Sequence, residues 1–241
     1  MIKMFLVRGS MAVLLMLTLV SCGQDGSSEQ DEPLPPAIGS AILSIPPTTQ
    51  QTVVWCWAAA SEMVLKYYGL PAFPNFFSYQ CGVVQAAFIG TQCALNCGFC
   101  VTPVRGMSDV DKVISDYGVI LNSVGIPSRV LDASLLLRRL SDQEIKREID
   151  AGRPVLIGIT PGSPFLIPNT SAHVAVLVGY DFTGPIQTVT INDPFPFGSY
   201  PFNPYMTFPL RGVQREPGQY SIPLEDVYSG LAWANTVYKI H

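Results

Sequence analysis

A cysteine at the predicted start of a helix is the first candidate for chemistry in this chain. Cys56 follows Gln50 in a Gln-x5-Cys-Trp run, and apolar residues at helical spacing predict a helix over 55–68 that Gly69 ends. A helix N-terminus supplies about half a positive charge and unpaired N–H groups, which favour a thiolate. Because the thiolate is the reactive form of cysteine, Cys56 is a candidate nucleophile that requires a base and an oxyanion partner.

The base is sought among two histidines. His241 is the last residue, so an internal imidazole base can only be His173, which lies near the start of the predicted strand 172–180. A rigid strand end can present an imidazole ring to a cleft. Taken alone, a histidine in such a position is more often a core or surface residue that has no catalytic task.

A predicted hairpin supplies a partner for this histidine. The strand that begins near His173 is followed by a strand over 188–193, and the turn between them is centred near Thr183, which places Asp193 opposite His173 with Cβ atoms about 5 Å apart. A carboxylate there fixes the imidazole tautomer and stabilises its cation. Asn192 faces the other side in this register, although a one-residue bulge would exchange the two. The alternative for Asp193 is a turn residue with no catalytic task, because it precedes a proline and Asp-Pro commonly opens a turn.

The oxyanion partner is sought near the nucleophile. The side-chain amide of Gln50 could join the backbone N–H of Cys56 in stabilising an oxyanion. Gln51 is adjacent and would face elsewhere, and the spacing favours Gln50. A solvated loop glutamine is the alternative for either residue.

The first 21 residues have the features of a secretory signal. Lys3 and Arg8 precede an apolar stretch over 11–20 that is too short to span a bilayer. The stretch ends in Leu-Val-Ser-Cys22, which resembles a bacterial lipobox and implies that Cys22 is diacylated and becomes the new N-terminus. The alternative is an ordinary signal peptide in which Cys22 is incidental. We expect export, with a lipid anchor in the bacterial cell envelope, in the periplasm or at the surface, or secretion.

The net charge of the chain limits the classes of partner that it can bind. Without residues 1–21, which carry two basic residues and no acidic ones, 12 Lys+Arg stand against 18 Asp+Glu and the net charge is −6. This balance argues against nucleic acid or an anionic membrane surface as a partner. No later segment is apolar enough to span a membrane, so we expect membrane attachment through lipid alone. We expect a monomer that acts on a protein or peptide and uses no cofactor or metal.

Six cysteines occur. If Cys22 carries lipid and Cys56 carries chemistry, four remain, namely Cys81, Cys93, Cys97 and Cys100. In the oxidising environment of an exported protein, an even set predicts two disulfides, with three possible pairings. A zinc site of four thiolates is the alternative, although Cys97-x-x-Cys100 is the one closely spaced pair.

The predicted elements place helices before strands. Residues 22–45 are polar and proline-rich and predict a flexible tether, and residues 46–241 predict one folded domain. The predicted helices cover 55–68, 108–117 and 141–151, the last opened by a Ser141-x-x-Glu144 capping box, and a cysteine-rich loop region covers 72–106. The predicted strands cover 154–159, 172–180 and 187–192, with a weaker one at 233–240. This order indicates an α+β fold.

With these residues assembled, the sequence resembles the papain-like cysteine proteases. The resemblance rests on Gln50-x5-Cys56-Trp57 and on the order of cysteine, then histidine opening an apolar strand, then asparagine or aspartate about twenty residues on. The stretches 55–69, 152–158, 173–181 and 192–194 are similar to the bacterial branch, which includes double-glycine leader peptidases and plant-pathogen effector proteases. In that branch the third residue is typically the aspartate of Asp-Pro, which favours Asp193.

The resemblance covers most of residues 46–240 and implies a fold and an activity. It implies a helical lobe that carries Cys56, an antiparallel sheet lobe that carries His173 and Asp193, a cleft between them, and cysteine peptidase activity. The cysteine-rich insertion at 81–100 is absent from papain itself. Two alternatives remain: a cell-wall peptide amidase, which usually carries a second histidine as orienter, and a catalytically silent binding module.

Overall fold

One antiparallel sheet with helices on both faces forms the centre of the fold. The computed structural model describes residues 37–74, 78–103, 106–160, 173–199, 203–207 and 209–241. The strands are β1 Ser40–Ile42, β2 Ser134–Leu136, β3 Val155–Ile159, β4 His173–Asp181, β5 Thr188–Asn192, β6 Val213–Glu216, β7 Gln219–Pro223 and β8 Asn235–Tyr238. The α-helices are α1 Cys56–Tyr67, α2 Tyr79–Ala87, α3 Met107–Ser123, α4 Asp142–Asp150 and α5 Leu224–Gly230.

The strand order places β4 in the middle of the sheet. The order is β2-β8-β3-β4-β5-β7-β6, each neighbouring pair is antiparallel, and β1 also pairs with β4. The two faces of β4 belong to different cores: Val174 and Val176 pack with the helices α1 to α3, whereas Ala175 and Leu177 pack with α4 and α5. Because both faces are covered, β3 and β4 have continuous apolar sequences.

The predicted helices over 55–68 and 141–151 are confirmed as α1 and α4. Gly69 follows α1 with a φ of +75°, a conformation that glycine adopts without strain. Both bonds of the capping box are present at α4, since the Ser141 hydroxyl accepts from the Glu144 N–H and the Glu144 carboxylate accepts from the Ser141 N–H. The predicted helix over 108–117 is α3, which extends to Ser123. The α+β class is confirmed.

Two regions contain more structure than predicted. The region 72–106, predicted as loop, holds α2 and two short 3-10 helices at Gln92–Ala94 and Cys97–Cys100. The Ser78 hydroxyl caps α2 by accepting from the Cys81 N–H, and tertiary packing outweighs the weak periodicity of so short a helix. The tail after Pro194 holds β6, β7 and α5, whose short and mixed sequences lack a clear period.

The predicted end of the tether at residue 45 is wrong. β1 pairs with residues 179–181 of β4, and Ala37 is buried, so the folded unit includes residues before 46. Gly179 permits this pairing, because a Cβ there would lie 2.9 Å from the Ala41 carbonyl oxygen. Residues 36–241 form one compact unit. The predicted signal peptide and Cys22 lie outside the described residues, and within the described ranges no helix is long and apolar enough to cross a membrane.

Candidate active site

Cys56 is the first residue of α1 and lies against the start of β4. Trp55 occupies the N-cap position without making a side-chain cap bond, so no side chain of the cap residue pairs the N–H groups of the first turn of α1. The Cys56 side chain is half-buried, and it is the one cysteine without a disulfide in the part of the chain that the structure describes. The thiol therefore lies at a helix N-terminus, as predicted.

His173 begins β4, as predicted, and its ring is almost fully buried. Its Nε2 lies 2.7 Å from Oδ1 of Asp193. The rings of Phe195 and Phe197 meet the imidazole edge to face, each with a centroid distance of 6.5 Å. Since Nε2 faces the carboxylate, Nδ1 is the ring nitrogen that remains for the Cys56 thiol, and the interaction with that thiol raises the pKa of the imidazole.

Asp193 receives three donors in a buried position. Oδ1 accepts from the His173 ring and, at 2.7 Å, from the backbone N–H of Phe195, and Oδ2 accepts from the Tyr205 hydroxyl. The backbone N–H of Asp193 donates to the Gly218 carbonyl over 2.7 Å. Donors to both oxygens fix the plane of the carboxylate, and a fixed carboxylate fixes the imidazole.

The register predicted for the β4–β5 hairpin is wrong, although the predicted contact forms. The ladder pairs Val176 with Asn192, so Asp193 follows the last paired residue and is not directly opposite His173. The unpaired turn covers 182–187 and is centred beyond Thr183, which shifts the register by three positions, and a bulge in β4 takes one back, so the net shift is two. A shift of two leaves each side chain on its own face, so Asp193 still reaches His173.

Asn192 has a different set of partners. Its Nδ2 donates to the Ile45 carbonyl over 2.7 Å, and its Oδ1 accepts from Gln219 Nε2 over 2.9 Å. The side chain is fully buried and joins β5 to the segment that leads to Cys56. The carboxylate that contacts the histidine is thus Asp193.

The thiol and the imidazole shift each other's protonation. Burial raises the pKa of the Cys56 thiol, but the His173 charge, the ring hydrogen bond and a backbone hydrogen bond from Val174 outweigh burial and leave that pKa lowered. Burial lowers the pKa of the His173 imidazole, whereas the Asp193 carboxylate and the Cys56 thiolate raise it, and the net shift is upward. These opposite shifts favour a thiolate–imidazolium pair at neutral pH.

Gln50 and Gln51 differ in burial. Gln50 is buried, its Nε2 donates to the Thr52 carbonyl over 2.7 Å, and its backbone N–H donates to the Pro194 carbonyl over 2.8 Å. An amide nitrogen has two hydrogens, so one N–H of Gln50 remains for an oxyanion. Gln51 is exposed and faces α2, where its backbone N–H donates to Gln80 Oε1.

The four remaining cysteines form two disulfides. Cys81 pairs with Cys97 and Cys93 pairs with Cys100, with Cα–Cα distances of 5.3 and 5.6 Å. The prediction of two disulfides is confirmed, and the zinc alternative does not apply to these four thiols. Residues 81–100 are called the disulfide segment below.

The disulfide segment and the residues next to it contact both tryptophans that flank the candidate nucleophile. Trp55 Nε1 donates to the Cys100 carbonyl over 3.1 Å, and Trp57 Nε1 donates to the Thr102 carbonyl over 3.4 Å. Gln80, next to Cys81, donates to the Thr49 carbonyl over 2.9 Å. The insertion therefore supports the loop and the helix turn that carry Gln50 and Cys56.

Three aromatic residues near the histidine were not predicted from the sequence. Phe195 and Phe197 belong to an Asp-Pro-Phe-Pro-Phe run, whose alternating aromatic residues after Asp193 were a usable signal. Tyr205 follows in a tail without periodicity, and no pattern there connects it to Asp193.

The arrangement combines a thiolate, a proton donor and acceptor, and a buried carboxylate, which together suit nucleophilic attack on a carbonyl group. Among the described residues, no cluster of three or more potential metal ligands occurs.

Comparison with known proteins gives a family and several similar folds. The model of the Peptidase C39 like family matches residues 42–200. No curated protein shows significant similarity to the chain. A solved structure of a double glycine motif protease from an AMS/PCAT transporter, in complex with the leader peptide, is 17% identical with a TM-score of 0.41; the alignment covers 83% of this chain and 94% of that one.

Two cathepsin precursors from Tenebrio molitor larval midgut are also similar. Digestive procathepsin L 3 is 14% identical with a TM-score of 0.47, and the alignment covers 83% of this chain and 69% of that one. Digestive procathepsin L2 is 12% identical with a TM-score of 0.46, and the alignment covers 80% of this chain and 64% of that one.

Proposed function

The chain belongs to the Peptidase C39 like family of cysteine peptidases, and we propose that it hydrolyses peptide bonds through four side chains: Cys56, His173, Asp193 and Gln50. The observation that carries this proposal is the position of His173, whose Nε2 lies 2.7 Å from Asp193 Oδ1 and whose positive charge lowers the pKa of the Cys56 thiol. This is the geometry of a nucleophile, its base and the orienter of that base.

The first half of the reaction forms an acyl-enzyme. The Cys56 thiolate attacks the peptide carbonyl carbon, and the carbonyl oxygen becomes an oxyanion that the Gln50 amide and the Cys56 backbone N–H stabilise. The His173 imidazolium then gives its Nδ1 proton to the amide nitrogen, the C–N bond breaks, and the amine leaves. A thioester to Cys56 and a neutral imidazole remain.

The second half regenerates the thiolate. The neutral His173 takes a proton from water, the hydroxide attacks the thioester carbon, and the C–S bond breaks to release a carboxylic acid. The released thiolate and the imidazolium form the resting ion pair again. Asp193 keeps the ring oriented and its positive charge stabilised in both halves.

Labelling with a thiol-reactive peptide epoxide tests the nucleophile. We expect the wild-type protein to gain one label on Cys56, detected by mass spectrometry, and the Cys56→Ala variant to gain none. Undiminished labelling of Cys56→Ala, or none of the wild type, would contradict the proposal. A His173→Ala variant is the second arm and is expected to label far more slowly near pH 6.

A library of peptides separates the peptidase from its alternatives. Cleavage of linear peptides by the wild type, but not by Cys56→Ala, supports the peptidase. Turnover of cell-wall peptides alone would identify an amidase instead. A labelled but wholly inactive wild type would point to a silent binding module.

We further propose that the protein is exported and attached to the cell envelope through a lipid on Cys22. The signal-like residues 1–21 and the two disulfides support this location, because disulfides persist in oxidising compartments. Mass spectrometry of the mature N-terminus tests it, with a Cys22→Ser variant as the control. A mature protein that retains residues 1–21, or that carries no lipid, would contradict lipid attachment.

A further inference from the structure

We infer that Tyr205 is a positioning residue of the site, whose hydroxyl holds the Asp193 carboxylate in the orientation that receives His173. The inference rests on the proposed roles of His173 and Asp193. Tyr205 is fully buried, and its hydroxyl donates to Oδ2 of Asp193 while Oδ1 accepts from the imidazole. Without this donor, the carboxylate would have a buried oxygen with no bond and could rotate away from the ring.

The position of Tyr205 is itself fixed by several contacts. Its ring stacks on Tyr220 of β7 with a centroid distance of 4.4 Å and an interplanar angle of 8°. Its backbone N–H donates to Asn203 Oδ1 over 3.0 Å, and its carbonyl accepts from the Gly212 N–H over 3.0 Å. A Cβ at Gly212 would lie 2.3 Å from that carbonyl oxygen, so the close approach requires glycine. The hydroxyl is therefore held in one place.

A neutral donor suits this position better than a cation. Burial and the negative charge of Asp193 raise the pKa of Tyr205 well above its ordinary value, so the phenol stays protonated and donates. An arginine or lysine here would neutralise the carboxylate and weaken its attraction to the imidazolium of His173. The phenol orients Asp193 and leaves its negative charge available to the histidine.

Two tyrosine variants provide a matched test. Tyr205→Phe removes one hydroxyl and keeps the stacked ring. Tyr220→Phe removes the hydroxyl of the stacking partner, which accepts from Asn203 over 3.2 Å and does not bond Asp193. We expect Tyr205→Phe to lower kcat about tenfold, the usual scale for a hydrogen bond to a charged group, with KM unchanged within about twofold. Tyr220→Phe should keep the wild-type kcat. Equal kcat values for the two variants would overturn the inference.

The pH dependence of Cys56 alkylation by iodoacetamide gives a readout that does not need peptide turnover. If the Tyr205 hydroxyl holds Asp193 against His173, its removal makes the positive charge on His173 less stable. The Cys56 thiolate then loses part of its ion-pair partner and forms at a higher pH. We expect the acid limb of the alkylation rate to move to higher pH in Tyr205→Phe and to stay unchanged in Tyr220→Phe. An unchanged limb in a folded Tyr205→Phe variant would overturn the inference. If the wild type cleaves no peptide but the alkylation limb still moves in Tyr205→Phe, the proposed function is wrong and the role of Tyr205 stands.

A double-mutant cycle shows whether Tyr205 acts through Asp193. On an Asp193→Asn background, Tyr205→Phe should cost little further kcat, because the group that it positions is already altered. Full additivity of the two losses would overturn the inference. If Tyr205→Phe does not fold, Asn203→Ala loosens the same segment with the hydroxyl present. A folded Asn203→Ala variant must show a smaller shift of the alkylation limb in the same direction, and an unchanged limb counts against the inference.

Discussion

The indole N–H of Trp55 donates to the carbonyl oxygen of Cys100 over 3.1 Å. The residue before the candidate nucleophile is thereby bonded to a disulfide-bonded cysteine 45 positions later in the chain. Trp57, on the other side of Cys56, donates to Thr102 just beyond that cysteine. The first turn of α1 thus depends on a segment that a covalent bond closes.

Removal of the Cys93–Cys100 disulfide should lower activity as well as stability. A Cys93→Ser/Cys100→Ser variant should lose about 2–4 kcal/mol of unfolding free energy, and kcat/KM should fall because the Cys100 carbonyl no longer fixes Trp55. Urea unfolding and peptide turnover measure the two effects. The matched control replaces the other pair, Cys81 and Cys97, which makes no bond to either tryptophan that the structure describes.

The control should lose a similar amount of stability and less activity. Equal losses of kcat/KM in the two double variants would show that the disulfides act only on global stability.

The pH profile of kcat/KM should be bell-shaped. Because the pKa of Cys56 is lowered, the acid limb of kcat/KM should lie below the pKa of an ordinary thiol, and because the pKa of His173 is raised, the alkaline limb should lie above that of an ordinary imidazole. Below the window the thiolate is protonated, and above it the imidazolium loses the proton that the leaving amine needs. Steady-state rates across pH 4 to 10 check both limbs. A thiolate that forms only near pH 8.5, the free value, would show that no ion pair exists.

Asp193 and Asn192 should respond differently to substitution. Asp193→Asn should lower kcat/KM by roughly 10²-fold or more, because a neutral amide neither stabilises the imidazolium nor selects its tautomer. Asn192→Ala should mainly lower the unfolding free energy, by about 1–3 kcal/mol, because it leaves the Ile45 carbonyl and Gln219 without a buried partner. Kinetics and urea unfolding on both variants separate the two roles. If Asn192→Ala loses more kcat than Asp193→Asn, then Asn192, and not Asp193, is the residue that orients His173.

Gln50 and Gln51 provide a second matched pair. Gln50→Ala should lower kcat by about 10²–10³-fold, the effect of losing one oxyanion donor, with a smaller change in KM. Gln51→Ala should keep kcat within about threefold, because that exposed side chain faces α2. Single-turnover acylation with an activated ester substrate measures the rate of thiolate attack, the step in which the oxyanion forms. Equal rates for the two variants would remove Gln50 from the oxyanion site.

The elements that position the site were largely predictable from sequence, because each has a strong local signal. Period and caps identified α1 and α4, and the apolar runs identified β3 and β4, since both faces of these strands are buried. The position of the candidate nucleophile, Cys56, followed from the start of α1. Membership of the family confirms the resemblance to papain-like cysteine peptidases on which the predicted activity rested.

The features that were missed or misplaced depend on tertiary contacts. The hairpin register was misplaced because the unpaired turn is longer than predicted and centred beyond Thr183, and because a bulge in β4, which no turn residue signals, offsets part of that shift. β1 was not predicted, because it has only three residues and lies beside a polar stretch. The residue that makes room for it, Gly179, lies far along the chain. Tyr205 reaches Asp193 through a stacked pair of rings that no sequence period describes.

The bond from Asn192 to Ile45 has a consequence for the order in which the protein matures. A ribosome adds Asn192 147 residues after Ile45, and Pro194, which binds the Gln50 N–H, later still. The nascent chain therefore holds Cys56 for most of its synthesis without His173 beside it and without the anchors of its own loop. We expect its thiol to behave as an ordinary cysteine during that time, so the incomplete chain carries no activated nucleophile. The candidate nucleophile and its histidine therefore come together only once the central strands of the sheet have been made.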